Sequence, residues 1–271
     1  MVKHALLTRW FWATGMTGLL LSGVPTIALA QSSDVDDLLF RGRELVEAGN
    51  YDQAITLYEQ AARLDDDNAR IFSGIGYLYT QSGDFAAAAA AYEQAIERDG
   101  DNPVFHYALA YSLANSNQDA AAVVAYERVT ELAPNNADAW LGLGIVQSRL
   151  GDYAAALQAY GTVARLEPTN AVVQAAIGTA NLQLNNFEAA LTALDRALEL
   201  NPQDGTTQLN RAIALFNLGE TAAGTAALEA AVQFSARNAQ VQVSAGQIYE
   251  NQGDVETALS HYRQAVRIDP D

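Results

Sequence analysis

An all-α solenoid of tandem helix–turn–helix units is the fold class this sequence predicts, on three observations. A tyrosine or leucine returns every 34 residues, at Tyr58, Tyr92, Tyr126, Tyr160, Leu194, Leu228 and Tyr262. Columns of small residues and of helix-ending residues keep the same step, with no insertion from residue 34 onward. No catalytic motif interrupts the period. Such a chain is a stack of like units, each too small to bury its own apolar face, rather than a globule around one cleft.

Each unit opens on a helix N-cap. Asp34, Asn68, Asn102, Asn136, Asn170, Asp204 and Asn238 form that column, and all are residues whose side chains accept from the first orphan N–H groups. The first helix follows. In unit 2, Phe72, Ile75, Gly76 and Tyr79 fall at i, i+3, i+4 and i+7, which is one helical face. A small column runs through it, at Gly42, Gly76, Ala110, Gly144, Gly178, Ala212 and Gly246. A mid-helix glycine costs about 1 kcal/mol relative to alanine, so close helix approach, with a ring of the tyrosine column filling the gap, is expected in return. The turn comes next: Gly49, Gly83, Asn117, Gly151, Asn185, Gly219 and Gly253 are all residues that enter the left-handed region cheaply. The second helix carries small residues at Ala54, Ala88, Ala122, Ala156, Ala190, Gly224 and Ala258, then the tyrosine column. A last small column, from Ala61 to Ala265, and Pro134, Pro168, Pro202 and Pro270 mark its exit.

With Trp140-x-x-Leu143-Gly144, Gly151-Asp152-Tyr153, Ala156, Tyr160 and Pro168, unit 4 resembles a tetratricopeptide repeat (TPR). Unit 6 departs most, with Gly224 for alanine and Ala236 for proline. Seven units are read, over 35–68, 69–102, 103–136, 137–170, 171–204, 205–238 and 239–271, after a short leader at 31–34. The resemblance implies a right-handed superhelical solenoid that acts by protein–protein binding. It also implies a concave groove lined by first-helix residues that do not pack. By position these would be Tyr77, Tyr107, Tyr111, Leu141, Ile145, Leu182, Leu209, Ile213 and Phe216. Arg43, Arg70, Gln81, Asn115, Arg149, Gln183 and Asn217 would lie beside them. Aromatic anchors with polar neighbours suit a peptide-binding surface. The other reading is that these side chains cover one another and contribute only to stacking. The carboxylate-gripping version of the groove needs lysine and asparagine at set first-helix positions. Here Leu39 and Arg43 stand where that pattern begins, and no lysine follows Lys3.

Residues 1–30 are a different kind of sequence. Lys3, His4 and Arg9 precede an apolar run from Trp10 to Leu21, and Ala28-Leu29-Ala30 follows Pro25. That order reads as a secretory signal peptide cut after Ala30. The rival is an uncleaved anchor, since Phe11 to Ala30 is about long enough to span a bilayer. Pro25 and the small-residue cleavage site argue against the anchor. An exported protein, periplasmic or secreted, is therefore expected, with no membrane association after cleavage. The chain has no cysteine, which excludes a disulfide and lipoprotein-type acylation.

Cleavage would leave thirteen basic residues, all arginine, against thirty-two acidic ones, a net charge of −19. Such a surface repels nucleic acid and anionic lipid. It either keeps a long exposed array soluble or attracts a basic partner. Residues 34–101 hold fifteen of the acids and five arginines, which concentrates the charge in the first two units.

Little else suggests chemistry. After residue 30 the only histidines are His106 and His261, in different units, and no H-E-x-x-H, Walker-type loop or G-x-S-x-G occurs. Gly74-x-Gly76 and Gly142-x-Gly144 lie in first helices, where packing explains them. His106 takes the slot of Phe72 and Trp140, as a partly buried packing residue. Asp65-Asp66-Asp67 lacks the glycine and distant glutamate of a calcium loop and reads as a solvated turn. No catalytic residue, metal or cofactor is expected. Arg41 and Glu44 replace the Ile75 and Leu78 of unit 2 and make the first unit's outer face polar. On the last helix Leu259, Tyr262 and Val266 recur at helical spacing, so part of that face should be open to a partner or a second copy, or else fray. The expected role is a scaffold or adaptor in a cell-envelope assembly, with an unidentified protein partner. The alternative is an accessory subunit of an export or polysaccharide-secretion machine, and a remote third is an enzyme with an unrecognised site.

Overall fold

The structure, a computed structural model, describes residues 26–270, with side chains from residue 33. Residues 1–25, which hold most of the expected signal segment, lie outside the described residues. Fourteen α-helices occur among those described, and they fall into seven consecutive pairs. The pairs are α1 (Thr26–Glu47) with α2 (Tyr51–Leu64), α3 (Ala69–Ser82) with α4 (Phe85–Arg98), α5 (Pro103–Asn115) with α6 (Asp119–Leu132), and α7 (Ala137–Arg149) with α8 (Tyr153–Leu166). They continue as α9 (Ala171–Gln183) with α10 (Phe187–Leu200), α11 (Gly205–Asn217) with α12 (Thr221–Phe234), and α13 (Ala239–Asn251) with α14 (Val255–Ile268). No strand occurs among the described residues. Contacts group the chain into two compact units, one ending at Asp66 and one beginning at Asp67.

The first unit is the pair α1 and α2. Its first helix begins at Thr26 and runs straight through Asp34, so Asp34 is an exposed helical residue and not the expected cap. Arg41 and Glu44 are exposed, as expected of a polar outer face, and line an open cleft with Leu45, Gln53, Thr56 and Leu57. Arg41 pairs with Asp37 at 3.4 Å, an exposed i,i+4 pair worth only a few tenths of a kcal/mol.

The second unit holds α3 to α14, and its punctuation follows the columns. Asn68, Asn102, Asn136, Asn170, Asp204 and Asn238 each accept a backbone N–H of the helix they start. Every member of the turn column, in both units, has positive φ, from Asn185 at 58° to Gly83 and Gly253 at 84°. Second helices end at Leu132, Leu166 and Leu200, two residues before Pro134, Pro168 and Pro202. Proline there cannot continue the helix.

Within each pair the tyrosine column closes onto the glycine column. A Cβ built on Gly76 would lie 2.9 Å from the Tyr92 ring, on Gly144 2.5 Å from Tyr160, and on Gly246 2.6 Å from Tyr262. The rings therefore sit against bare first-helix backbone, as the cost of those glycines demanded. Where the sequence varies, partners vary together. In the third pair Ala110 closes that space, and the Tyr126 ring lies instead against Gly142 of α7, at 2.5 Å from its would-be Cβ. This gives Gly142 the packing role expected of it. Tyrosine hydroxyls meet a polar residue of the first helix: Tyr160 Oη lies 3.1 Å from Ser148 Oγ, and Tyr262 donates to Glu250 at 2.6 Å.

Candidate interaction surface

In the second unit, neighbouring first helices approach one another: α3 and α5, α5 and α7, α9 and α11, α11 and α13. No two second helices do so to a comparable extent. First helices therefore line the inner side of this unit. Two side-chain bonds tie them. Asn210 donates to Thr179 Oγ1 at 2.9 Å, and Arg149 donates to the Ala114 carbonyl at 3.0 Å.

The inward stripe of each first helix is set by helical spacing at i, i+3, i+7 and i+11, for example Val104, Tyr107, Tyr111 and Asn115. Of the residues expected on it, Arg70 and Ile145 are exposed. Tyr77, Tyr111, Leu141 and Ile213 are half-buried. Tyr111 packs edge-on against Phe85 at 6.1 Å, Leu141 rests on the cluster of Tyr160, Val163 and Val173, and Ile213 on that of Leu215 and Leu228.

One expectation is corrected and four are qualified. Leu209 is 6 % exposed and belongs to the core with Ala212, Leu215 and Leu228. Leu182 packs on the cluster of Ala190, Leu194 and Ala214, and Phe216 lies 2.8 Å from the Cβ that Gly224 lacks. These two occupy the position that holds Thr80, Ser148 or Glu250 in the tyrosine pairs. Where the column changes to Leu194 and Leu228, no hydroxyl needs a partner, and an apolar side chain fills the volume instead. Tyr107 packs edge-on against Tyr126, with ring centroids 6.0 Å apart, so it is partly a core residue. Arg149 is held by Asp119 at the start of α6 and by the Ala114 carbonyl, so it serves as a staple between pairs. The sequence reading missed Val104 and Val172, which are 43 % and 69 % exposed in the first turns of α5 and α9. The stripe spacing that places Tyr107 also places Val104.

His106 is half-buried, and its Nε2 lies 2.8 Å from the Gly100 carbonyl. Trp140, one unit later, donates to the Pro134 carbonyl at 2.9 Å. The shared slot thus supplies a ring nitrogen that closes the preceding turn. Phe72, in the same slot, carries the Arg98 guanidinium 3.8 Å above its ring. Among the described residues no group of three or more histidine or acidic side chains is placed to hold a metal ion, and no helix is long and apolar enough to cross a membrane. On α14, Val255, Leu259 and Val266 are exposed, whereas Tyr262 turns in over Gly246.

Burial sets the behaviour of the tyrosines. It raises Tyr107 to about 12, helped by the charge of Asp138, and pushes Tyr92 and Tyr126 higher still. A phenol whose folded pKa exceeds its unfolded value near 10 contributes stability that is complete below that pH and is lost as pH rises through the folded value. Alkaline unfolding is therefore expected to begin above about pH 10. Tyrosinate absorbance at 295 nm should show the buried rings ionising only together with loss of the helical signal. A single normal titration with the helices intact would show these rings to be solvated.

Paired helices stacked with their first members inward define a helical-repeat scaffold, a class that binds other proteins and is generally non-catalytic. Tetratricopeptide repeat profiles match residues 41–103 and 209–271, and also 79–143, 120–177 and 149–209. The chain belongs to the tetratricopeptide repeat family. No curated protein matches the sequence. Among solved structures it is similar to a tetratricopeptide repeat protein from Parabacteroides merdae, at 18% identity and TM-score 0.68, over 88% of this chain and 94% of that one. It is also similar to the C-terminal part of a TPR repeat-containing protein from Cytophaga hutchinsonii, at 17% identity and TM-score 0.69, over 86% and 95%. YrrB, described as a TPR protein with an unusual peptide-binding site, is 26% identical with TM-score 0.53, over 68% of this chain and 94% of YrrB.

Proposed function

We propose that the protein is a non-catalytic scaffold of the cell envelope that takes a segment of a partner protein along the first helices of its second unit. One observation carries the reading. Val104, Ile145 and Val172 stand exposed on the inward stripes of three successive first helices, beside half-buried Tyr111. Exposed apolar side chains on the inward stripes of successive repeats are what an extended segment can cover. The likeness to YrrB supports a peptide as the occupant.

Two variants on exposed side chains test this without touching the core. Ile145→Glu with Val172→Glu should weaken partner binding by about 2 kcal/mol, the scale of an interface hot spot. A photo-crosslinker at position 145 should capture the partner from envelope extract, while one at Val124, exposed on a second helix, should not. Capture only from Val124 would place binding on the other face.

The envelope location rests on residues 1–30 alone. Exported protein should begin at Gln31 on N-terminal sequencing. Intact Met1 in the membrane fraction would support an anchor in place of a cleaved signal.

A further inference from the structure

The chain is strongly acidic, yet its first helices are not. Between Asp67 and Pro270 there are twenty-two acidic residues, and only Asp138 and Glu250 lie on first helices. The same six helices carry Arg70, Arg149 and Arg211, so together they have a net charge of +1. The second helices and turns of this unit carry twenty acids against seven arginines, a net of −13. Three of these five charges are engaged: Arg149 with Asp119, Arg211 with Asp195 at 2.6 Å, and Glu250 with the Tyr262 hydroxyl. The other two inner charges, exposed Arg70 and Asp138, are opposite in sign, and the rest of the stripes is uncharged, as in Val104, Ile145, Val172, Asn115, Gln183 and Asn217.

Taking the groove proposed above as the binding site, we infer that its occupant is an extended polypeptide segment without net charge, held by apolar contacts and backbone hydrogen bonds. A strongly acidic segment would meet repulsion from the surrounding second helices and turns. A strongly basic one would find its complement on those same outer surfaces, not on the first helices. A neutral segment faces neither obstacle. The acidic shell then keeps the array soluble and turns anionic competitors away. The uneven charge of the unit thus separates solubility from recognition.

The test is a selection of random dodecapeptides displayed on phage against the full chain, in 50 mM and in 500 mM salt. Enriched sequences should have mean net charge near zero. Their affinity should change by less than about twofold between the two salts, because few screened charges contribute. It should fall about tenfold or more in Ile145→Glu/Val172→Glu. It should stay unchanged in Glu93→Gln/Glu188→Gln/Glu229→Gln, three exposed second-helix positions. Enrichment of arginine- and lysine-rich peptides that the groove variant no longer binds would overturn the charge inference and leave the groove in place. Peptides bound equally well by the groove variant, or no enrichment at all, would overturn the groove reading and the inference together.

Discussion

Gly144→Val is expected to destabilise the second unit by about 3 kcal/mol, the upper range for overpacking a filled core. The Cβ alone would sit 2.5 Å from the Tyr160 ring, which is 3 % exposed and has no vacant side to move to. Gly144→Ala should cost less, because about 1 kcal/mol is recovered when a mid-helix glycine is replaced. The third pair shows what would rescue it. There Ala110 is tolerated because the Tyr126 ring leans on Gly142 of the next first helix. The matching position for Tyr160 is Ala176, which blocks that escape. Adding Ala176→Gly to Gly144→Ala should therefore recover most of the lost stability, measured by urea unfolding of the helical signal at 222 nm. A Gly144→Val protein with the wild-type midpoint would mean that ring and backbone do not meet as described.

The opposite sign is expected for Gln147→Leu, a gain of about 2 kcal/mol. Gln147 is buried in α7, and among the described residues no donor reaches its Oε1. Leaving a buried acceptor unmet costs about 1–3 kcal/mol. The same column holds Leu113 and Leu215, both buried, so leucine is already accommodated at that position in two other repeats. Asn181, the next member, is a different case. It donates to the Ile177 carbonyl at 2.9 Å and accepts from Asn186 at 3.4 Å, so Asn181→Leu should bring no comparable gain. The unfolding midpoints of the two variants decide the matter. A Gln147→Leu protein less stable than wild type would show that the glutamine is satisfied by something bound there.

The repeat alone marked Gly144 as a point of close approach, but nothing in it singled out Gln147, whose unmet acceptor is visible only in the packed structure. The sequence did determined what depends on neighbours along the chain. Caps at Asn68 to Asn238, left-handed turns at all seven Gly/Asn positions, and helix exits before proline are settled within a few residues. The 34-residue period then fixed the pairing of helices, since each pair repeats the same small and large positions. The one misplaced cap, Asp34, lies where the first helix begins earlier, at Thr26.

Tertiary structure decided which large first-helix residues are available to a partner. Leu182 and Phe216 turn partly onto the core because Leu194 and Leu228 stand where other pairs have tyrosine, a dependence between two helices. Arg149 was lost because Asp119, thirty residues away, comes within hydrogen-bonding reach of it. Val104 and Val172 were gained because nothing packs over the first turns of α5 and α9. Spacing places a side chain on a face, but only the neighbouring helix determines whether that face is covered. The concentration of acids on second helices belongs to both levels. It is written in the residue order, and it acquires physical meaning only once the first helices are seen to line one side together.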